Sequence, residues 1–242
     1  MIRYSLELTS DLTIHQFWGK VSNIYIIVDS REKKTYLVDC GLPSDVEAIV
    51  DVLQAMPPLK RIVCTHFHVD HVSAWIMLKR HFENSEIWFY ERAKPFVEGH
   101  ASIQCPSFND YLKILIPVMK EYGYFPRFLD LFRGLLYGTP FKRGFPLDRV
   151  VFFGDNQNVL PGFRLVPTPG HRPDSVSFID PVSGTFITGD FLIVINGEVM
   201  VNTYVSSRND QQNSLKKIKD LKGIKFLFPG HGICRPFSEG YM

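Results

Sequence analysis

Three histidines and an aspartate crowd into one short run, Thr65-His66-Phe67-His68-Val69-Asp70-His71, and the chain later sets His171, Asp190 and His231 each beside a turn. Imidazole and carboxylate donors at this density suit zinc, manganese or iron better than calcium or magnesium. If the preceding residues, RIVCT, form a buried strand that ends in a loop, His66 and His68 can both reach one ion. Asp70 and His71 then point to a neighbouring position and offer a carboxylate and an imidazole to a second. Two cations about 3.5–4 Å apart share a water, lower its pKa towards about 7 and present hydroxide to an electrophilic carbonyl or phosphorus. Asp70 is placed to orient that hydroxide and accept its proton. Such chemistry requires no serine or cysteine nucleophile.

The elements that position these residues read as two copies of one arrangement. In the first, NIYIIVDS, a charged turn and KTYLVDCG make a hairpin ending at Asp39; DVEAIVDVLQAM has helical spacing; RIVCTH is a strand ending at His66. In the second, SVSFIDP and GTFITGD make a hairpin ending at Asp190, QQNSLKKIKDL is helical, and IKFLFPGH is a strand ending at His231. Strand pairs alternating with helices imply a layered α/β fold, with the site in the cleft between the strand ends. Taken singly, His171 and His231 could be turn histidines and Asp190 an Asx turn. Asp39 sits where Asp190 sits in the other copy. It reads equally as a hydrogen-bond acceptor behind the loop of His66 to His71 or as a cap for the helix after Pro43.

The complete set resembles the metallo-β-lactamase superfamily. The family's HxHxDH motif corresponds to THFHVDH, its isolated histidine to His171, its bridging aspartate to Asp190 and its last histidine to His231, and the likeness runs from LVDCG around Asp39 to PGHG. The resemblance implies a four-layer αβ/βα sandwich. It also implies one metal on His66, His68 and His171, a second on Asp70, His71 and His231, and Asp190 between them. Zinc is the default metal, with iron and manganese compatible. Asp190 stands where zinc β-lactamases of the commonest subclass carry Cys, and His68 where flavodiiron oxygen reductases carry Glu. Acyl-homoserine lactonases carry a Tyr at the position of Ile193. Glyoxalase II enzymes share TPGH and TGD but add a glutathione-binding helical domain, for which the eleven residues after His231 leave no room. The run PDS around Asp174 and Ser175 is similar to some acyl-thioesterase-like members.

With 242 residues, 45% of them hydrophobic, one domain over 1–242 is the simplest organisation. A formal net charge of +2 makes no case for a nucleic-acid partner, and the basic cluster Arg31 to Lys34 reads as a hairpin tip. Cys40, Cys64, Cys105 and Cys234 form no CxxC pair and read as reduced structural thiols. The N-terminus has no apolar leader region and no stretch nears about 20 apolar residues, so a cytoplasmic protein without a membrane span is expected.

Residues 101–145 stand outside the repeat as an insertion. Ten of those 45 residues are aromatic, against 33 of 242 in the chain. NDYLKILIPVMKEYG and PRFLDLFRGLLYG each have helical apolar spacing, the second with Phe128, Leu131, Phe132, Leu135 and Leu136 on one side and Pro126 in its first turn. Pro117 should kink or end the first helix. This aromatic pair can pack as plain core, overhang the cleft as a pocket for an apolar substrate tail, or form a homodimer interface. Arg172, Arg208 and Arg235 adjoin the site in sequence and could hold an anionic leaving group such as the phosphates of coenzyme A, or make ordinary salt bridges. Tyr204 could act as a donor or simply pack. The leading expectation is hydrolysis of a small-molecule ester-type carbonyl, a thioester with an apolar acyl part ahead of a lactone. A phosphodiester hydrolase and a metal-containing binding module without turnover are the alternatives.

Overall fold

Side chains on successive strand residues point to opposite faces, and the runs NIYIIVD and TFITG are buried at nearly every position, so each is covered on both sides. The computed structural model describes residues 1–104, 106–125 and 145–238. A seven-stranded sheet has the order β1 (Ile2–Glu7), β2 (Leu12–Trp18), β3 (Asn23–Asp29), β4 (Lys34–Val38), β5 (Leu59–Val63), β6 (Glu86–Tyr90), β7 (Val150–Phe153). It is antiparallel as far as β4 and parallel beyond it. A second sheet, of five strands, comprises β8 (Arg164–Pro167), β9 (Val176–Asp180), β10 (Thr185–Gly189), β13 (Phe226–Pro229) and β14 (Arg235–Pro236), paired in that order. Between β10 and β13 in the chain, β11 (Leu192–Ile195) and β12 (Glu198–Val201) form a separate hairpin.

In β3, Tyr25 and Ile27 belong to the core between the sheets with Phe178, Ile187 and Phe228. Their neighbours Ile24 and Ile26 face the other way, onto α1 (Val46–Gln54) and, beyond the short α2 (Val69–Val72), α3 (Trp75–His81). Helix α1 buries Val46, Ile49, Val50 and Leu53, a stripe of period 3.6 that contributes about 1.5–3 kcal/mol per side chain removed from water. On the far side, the helix Arg208–Asp220 sets Ile218 on Ile179, Phe186 and Leu227. The layers therefore run helix, sheet, sheet, helix, the αβ/βα sandwich expected from the sequence. The internal repeat is present in register: β3–β4 and β9–β10 are antiparallel hairpins, and β4–β5 and β10–β13 are parallel neighbours joined through a helix.

The insertion's first helix runs from Phe108 to Tyr122, and Pro117 does not end it. A π-helical turn at Tyr111–Leu115 precedes the proline, which sits in the first turn of the following α-helical stretch, where its missing N–H is tolerated. Ser107 and Asp110 form a capping box at the start, and Gly123, at φ 66°, closes the end in the left-handed conformation. Ile114 and Val118 are buried against Ile193 and Ile195 of β11. The expected second helix, with Pro126, Phe128, Leu131, Phe132, Leu135 and Leu136, lies outside the described residues, as does Cys105. Cys40, Cys64 and Cys234 are free, buried thiols. Among the described residues, no helix is long and apolar enough to cross a membrane.

Candidate metal centre

Strand β5 ends at Val63, the chain bends at Thr65 and His66, and His68, extended at φ −122°, ψ 153° and with its N–H donating to His66 O at 3.3 Å, begins α2. His66 and His68 thus sit on the loop between β5 and α2, whereas Asp70 and His71 lie on the helical turn of α2 rather than on the loop the sequence suggested. Asp39, in left-handed backbone at φ 62°, organises this run. Its Oδ1 accepts from Thr65 N at 2.8 Å, and its Oδ2 accepts from Thr65 Oγ1 at 2.9 Å and His71 Nδ1 at 2.8 Å. Thr65 Oγ1, donating to Asp39, in turn accepts from His66 Nδ1 at 3.0 Å. One carboxylate therefore stands behind two histidines, and the cap in this region is Asp45, which accepts from Leu42 N and Lys20 N.

Two further rings are oriented by carbonyls. His171 Nδ1 donates to Tyr204 O at 2.6 Å and His231 Nδ1 to Val21 O at 2.6 Å. Because a carbonyl can only accept, both rings carry the proton on Nδ1 and present an Nε2 lone pair. The seven residues converge in one cleft. His66 Nε2 and His171 Nε2 each lie 3.1 Å from His68 Nδ1. Asp70 Oδ2 lies 3.5 Å from both His71 Nε2 and His231 Nε2. Asp190 reaches both groups: Oδ1 is 3.2 Å from His71 Nε2, while Oδ2 is 3.1 Å from His231, 3.8 Å from His66 and 3.6 Å from His171. Gly230 permits this approach, since a Cβ there would collide with Asp190 Oδ1.

Burial, with the neighbouring imidazoles, holds His66 and His68 well below the ordinary histidine range, and burial lowers His171 against the pull of Asp190. These three rings are neutral at pH 7. Burial opposes the charge on Asp190, but His231 and His71 outweigh it and hold the carboxyl well below its usual range.

The donor set fits a pair of cations. His71 Nε2 and Asp190 Oδ1 are fully buried and neither has a well-formed hydrogen bond, an arrangement that costs free energy unless something binds there. Two ligands at about 2.0–2.1 Å from a tetrahedral ion lie about 3.3 Å apart, close to the edges of 3.1 Å to 3.8 Å among His66, His68, His171 and Asp190 and of 3.5 Å from Asp70 to His71 and His231. The two groups, His66, His68, His171 and Asp190 on one side and Asp70, His71 and His231 on the other, each form a compact set of possible ligands.

Several residues singled out in the sequence serve other ends. Arg172 is buried, pairs with Asp174 at 3.1 Å and lies 4.1 Å over the Phe96 ring, so it is no free anion ligand. Arg235 donates to Gly197 O in the β11–β12 hairpin turn. Arg208 is exposed on a polar surface pocket with Lys113 and Ser206. Tyr204 packs its ring against His68 and donates its hydroxyl to Gln104 O. Ile193, at the lactonase Tyr position, is fully buried.

Two contributors escaped sequence reasoning. Asp174 Oδ2 accepts from Phe67 N at 2.7 Å, so the second half of the molecule holds the ligand loop of the first. Tyr122 stacks on Trp18 at 4.1 Å, donates to Asn23 Oδ1 at 2.9 Å and accepts from Gly232 N at 3.0 Å, steadying the His231 turn. Only PDS, as a departure from the commoner run, hinted at the first; nothing local marks the second. Beside the centre, a cavity of about 420 Å³ is lined by Asp70 and His231 and by apolar side chains of the inserted helix.

The model described as the metallo-beta-lactamase superfamily matches residues 18–231, and the chain belongs to that superfamily. Among curated relatives, "Uncharacterized protein YobT" of Bacillus subtilis is 26% identical over 73% of this chain and 66% of its own length. "Probable metallo-hydrolase YflN" of the same organism is 24% identical over 91% and 84%. "Hydroxyacylglutathione hydrolase GloC" of Haemophilus influenzae is 26% identical over 66% and 62%. The chain thus spans about two thirds of the length of the first and less of the last. Among solved structures, the superfamily protein ST1585 of Sulfolobus tokodaii has a TM-score of 0.60 at 21% identity, covering 92% of this chain and 81% of that one. TTHA1623 in a di-iron-bound form has a TM-score of 0.60 at 23% identity, covering 92% and 93%. At these identities, the structural likenesses establish the fold.

Proposed function

We propose that this protein is a two-metal hydrolase of an ester-type carbonyl, that its substrate is a thioester with an apolar acyl part, and that zinc is its metal. The convergence of six donors around Asp190 carries the reading. In it, His66, His68 and His171 hold one cation, Asp70, His71 and His231 the other, and Asp190 reaches both. Bound there, two divalent cations supply Lewis acidity towards the substrate oxygen and acidify a water to near-neutral pH. The chain's own residues do the rest. Asp70, whose side chain is 27% exposed, is the most open donor of its group; its Oδ2 orients the attacking water and accepts its proton. Asp39, Tyr204 O and Val21 O keep the imidazole lone pairs aimed into the cleft. A thiolate leaves without a dedicated acid because a thiol pKa of about 8.5 lies near neutrality.

Three observations favour a thioester. The space beside Asp70 and His231 is apolar; Ile193 supplies no phenol at the lactonase position; and one relative is described as a hydroxyacylglutathione hydrolase. The test is proton release by metal-reconstituted protein on one panel of acyl-coenzyme A, glutathione thioester, homoserine lactone, β-lactam and phosphodiester substrates. Preferential cleavage of acyl thioesters is expected. Turnover of phosphodiesters alone, or binding of a thioester without conversion, overturns the reading. Elemental analysis should return two zinc ions per chain, and two irons would overturn the metal assignment.

A further inference from the structure

The inserted helix lies along the edge of the candidate centre, and its two faces have different neighbours. Ile114 and Val118 are buried on β11, with Val118 also reaching the cavity wall. Tyr111, Leu115, Met119 and Phe125 line the cavity of about 420 Å³ whose opposite wall includes Asp70 and His231. Tyr111 and Phe125 are 45% and 59% exposed, so the outer part of the cavity wall carries large apolar side chains open to solvent. The volume falls in the range of small-molecule sites. His66, His68 and His171, the donors of the other group, take no part in this wall.

The geometry points to a chain-length-selecting pocket: the apolar acyl group of the substrate lies along Leu115 and Met119, entering from the Asp70–His231 side of the centre, while the leaving group departs past the other three histidines. The assignment rests on the ester-type hydrolase reading and adds to it an orientation and the residues that set specificity. Each methylene that passes from water into such a pocket raises kcat/KM about fourfold, because apolar burial favours the bound transition state over the free substrate. The occupant is a saturated or weakly unsaturated chain, since the four side chains offer rings and aliphatic groups and no carboxylate or ammonium.

The experiment compares metal-reconstituted full-length protein on S-acyl N-acetylcysteamine thioesters of two to twelve carbons. Calorimetric binding of acetate and octanoate to the same protein runs in parallel. We expect kcat/KM to climb with chain length and then level or fall as the cavity fills. Met119→Trp and Leu115→Trp should each lower the ratio of eight-carbon to two-carbon kcat/KM at least tenfold, and should weaken octanoate more than acetate. A wild-type profile independent of chain length overturns the pocket, as does an unchanged ratio in both variants; should neither variant fold, the wild-type profile decides. Failure to cleave any thioester would instead remove the thioester reading. In that case the pocket is supported if octanoate binds the wild type at least tenfold more tightly than acetate, and overturned if the two bind alike.

Discussion

The two halves of the molecule build the same hairpin, helix and parallel strand, and each hairpin closes on an aspartate, yet the two aspartates stand at different depths. Asp190 reaches into the cleft and touches both groups of donors. Asp39 stands behind the donors: two of its three hydrogen bonds are to Thr65 and the third is to the far nitrogen of His71. The difference follows from what comes after the parallel strand. In the first half, β5 leads into four candidate ligands in six residues, and that crowded run needs an anion behind it. In the second half, β13 delivers His231 alone, and Gly230 leaves room for Asp190 to come forward. Equivalent positions in the two copies thus differ in role, one carboxylate reaching both groups of donors and one accepting from the run that carries His66 and His71.

The largest effect that can break this comparison comes from Asp190→Asn. It should reduce bound metal and lower kcat/KM by far more than the roughly 100-fold that outer hydrogen-bond partners cost. Retention of full metal content and activity would remove the bridging role. Next is Asp174→Ala, which deprives the ligand run of the bond to Phe67 N and leaves Arg172 buried beside no carboxylate. A loss of about 3–5 kcal/mol in chemical denaturation is expected, and a change below 1 kcal/mol would deny the contact between halves any weight.

The helix entries of the two halves differ in a way that pH can read. The second half caps its helix with Ser207, a neutral group, whose Oγ accepts from Asp210 N. The first uses Asp45, whose pKa burial raises from 3.8 to about 6 against the hydrogen bonds from Leu42 and Lys20. A raised carboxyl binds its proton more tightly in the folded chain, so its contribution favours folding at low pH and is lost as pH rises from 3.8 through about 6. The loss amounts to roughly 3 kcal/mol. Denaturation curves of wild type and Asp45→Asn between pH 4 and 7 should diverge by that slope, and parallel pH profiles would remove it. The smallest expected effect is that of Asp39→Asn, about 10–100-fold in metal affinity or activity. A loss as severe as that of Asp190→Asn would erase the distinction between the two depths.

What the sequence made legible was whatever a short stretch of chain encodes by itself. Strand alternation, the helical stripe of Val46, Ile49, Val50 and Leu53, and turn residues beside His171, Asp190 and His231 located the repeat and gathered the donors. Asp39 stood evenly between two readings because its deciding partners, Thr65 and His71, are fixed only when β4 and β5 pair. Asp174 meets Phe67 across 107 positions of chain and Tyr122 meets Gly232 across 110, and no periodicity reports such contacts. Arg172, an exposed-type residue next to a ligand, went inside because Asp174 and Phe96 together satisfy its charge and its flat face. Pro117 failed to end its helix because the π turn before it had already displaced the bonding pattern.

That π turn also bears on how the protein could change its appetite. A π turn holds one residue more than the α-helical turn it replaces. Loss of a single residue within Tyr111–Leu115 would restore regular winding and rotate everything on its N-terminal side by about 100° relative to the rest. Leu115 and Met119 would stay where Tyr122 anchors them, while Tyr111 would swing off the cavity wall. A one-codon deletion far in sequence from the candidate ligands would therefore reshape the mouth of the cavity without touching its floor.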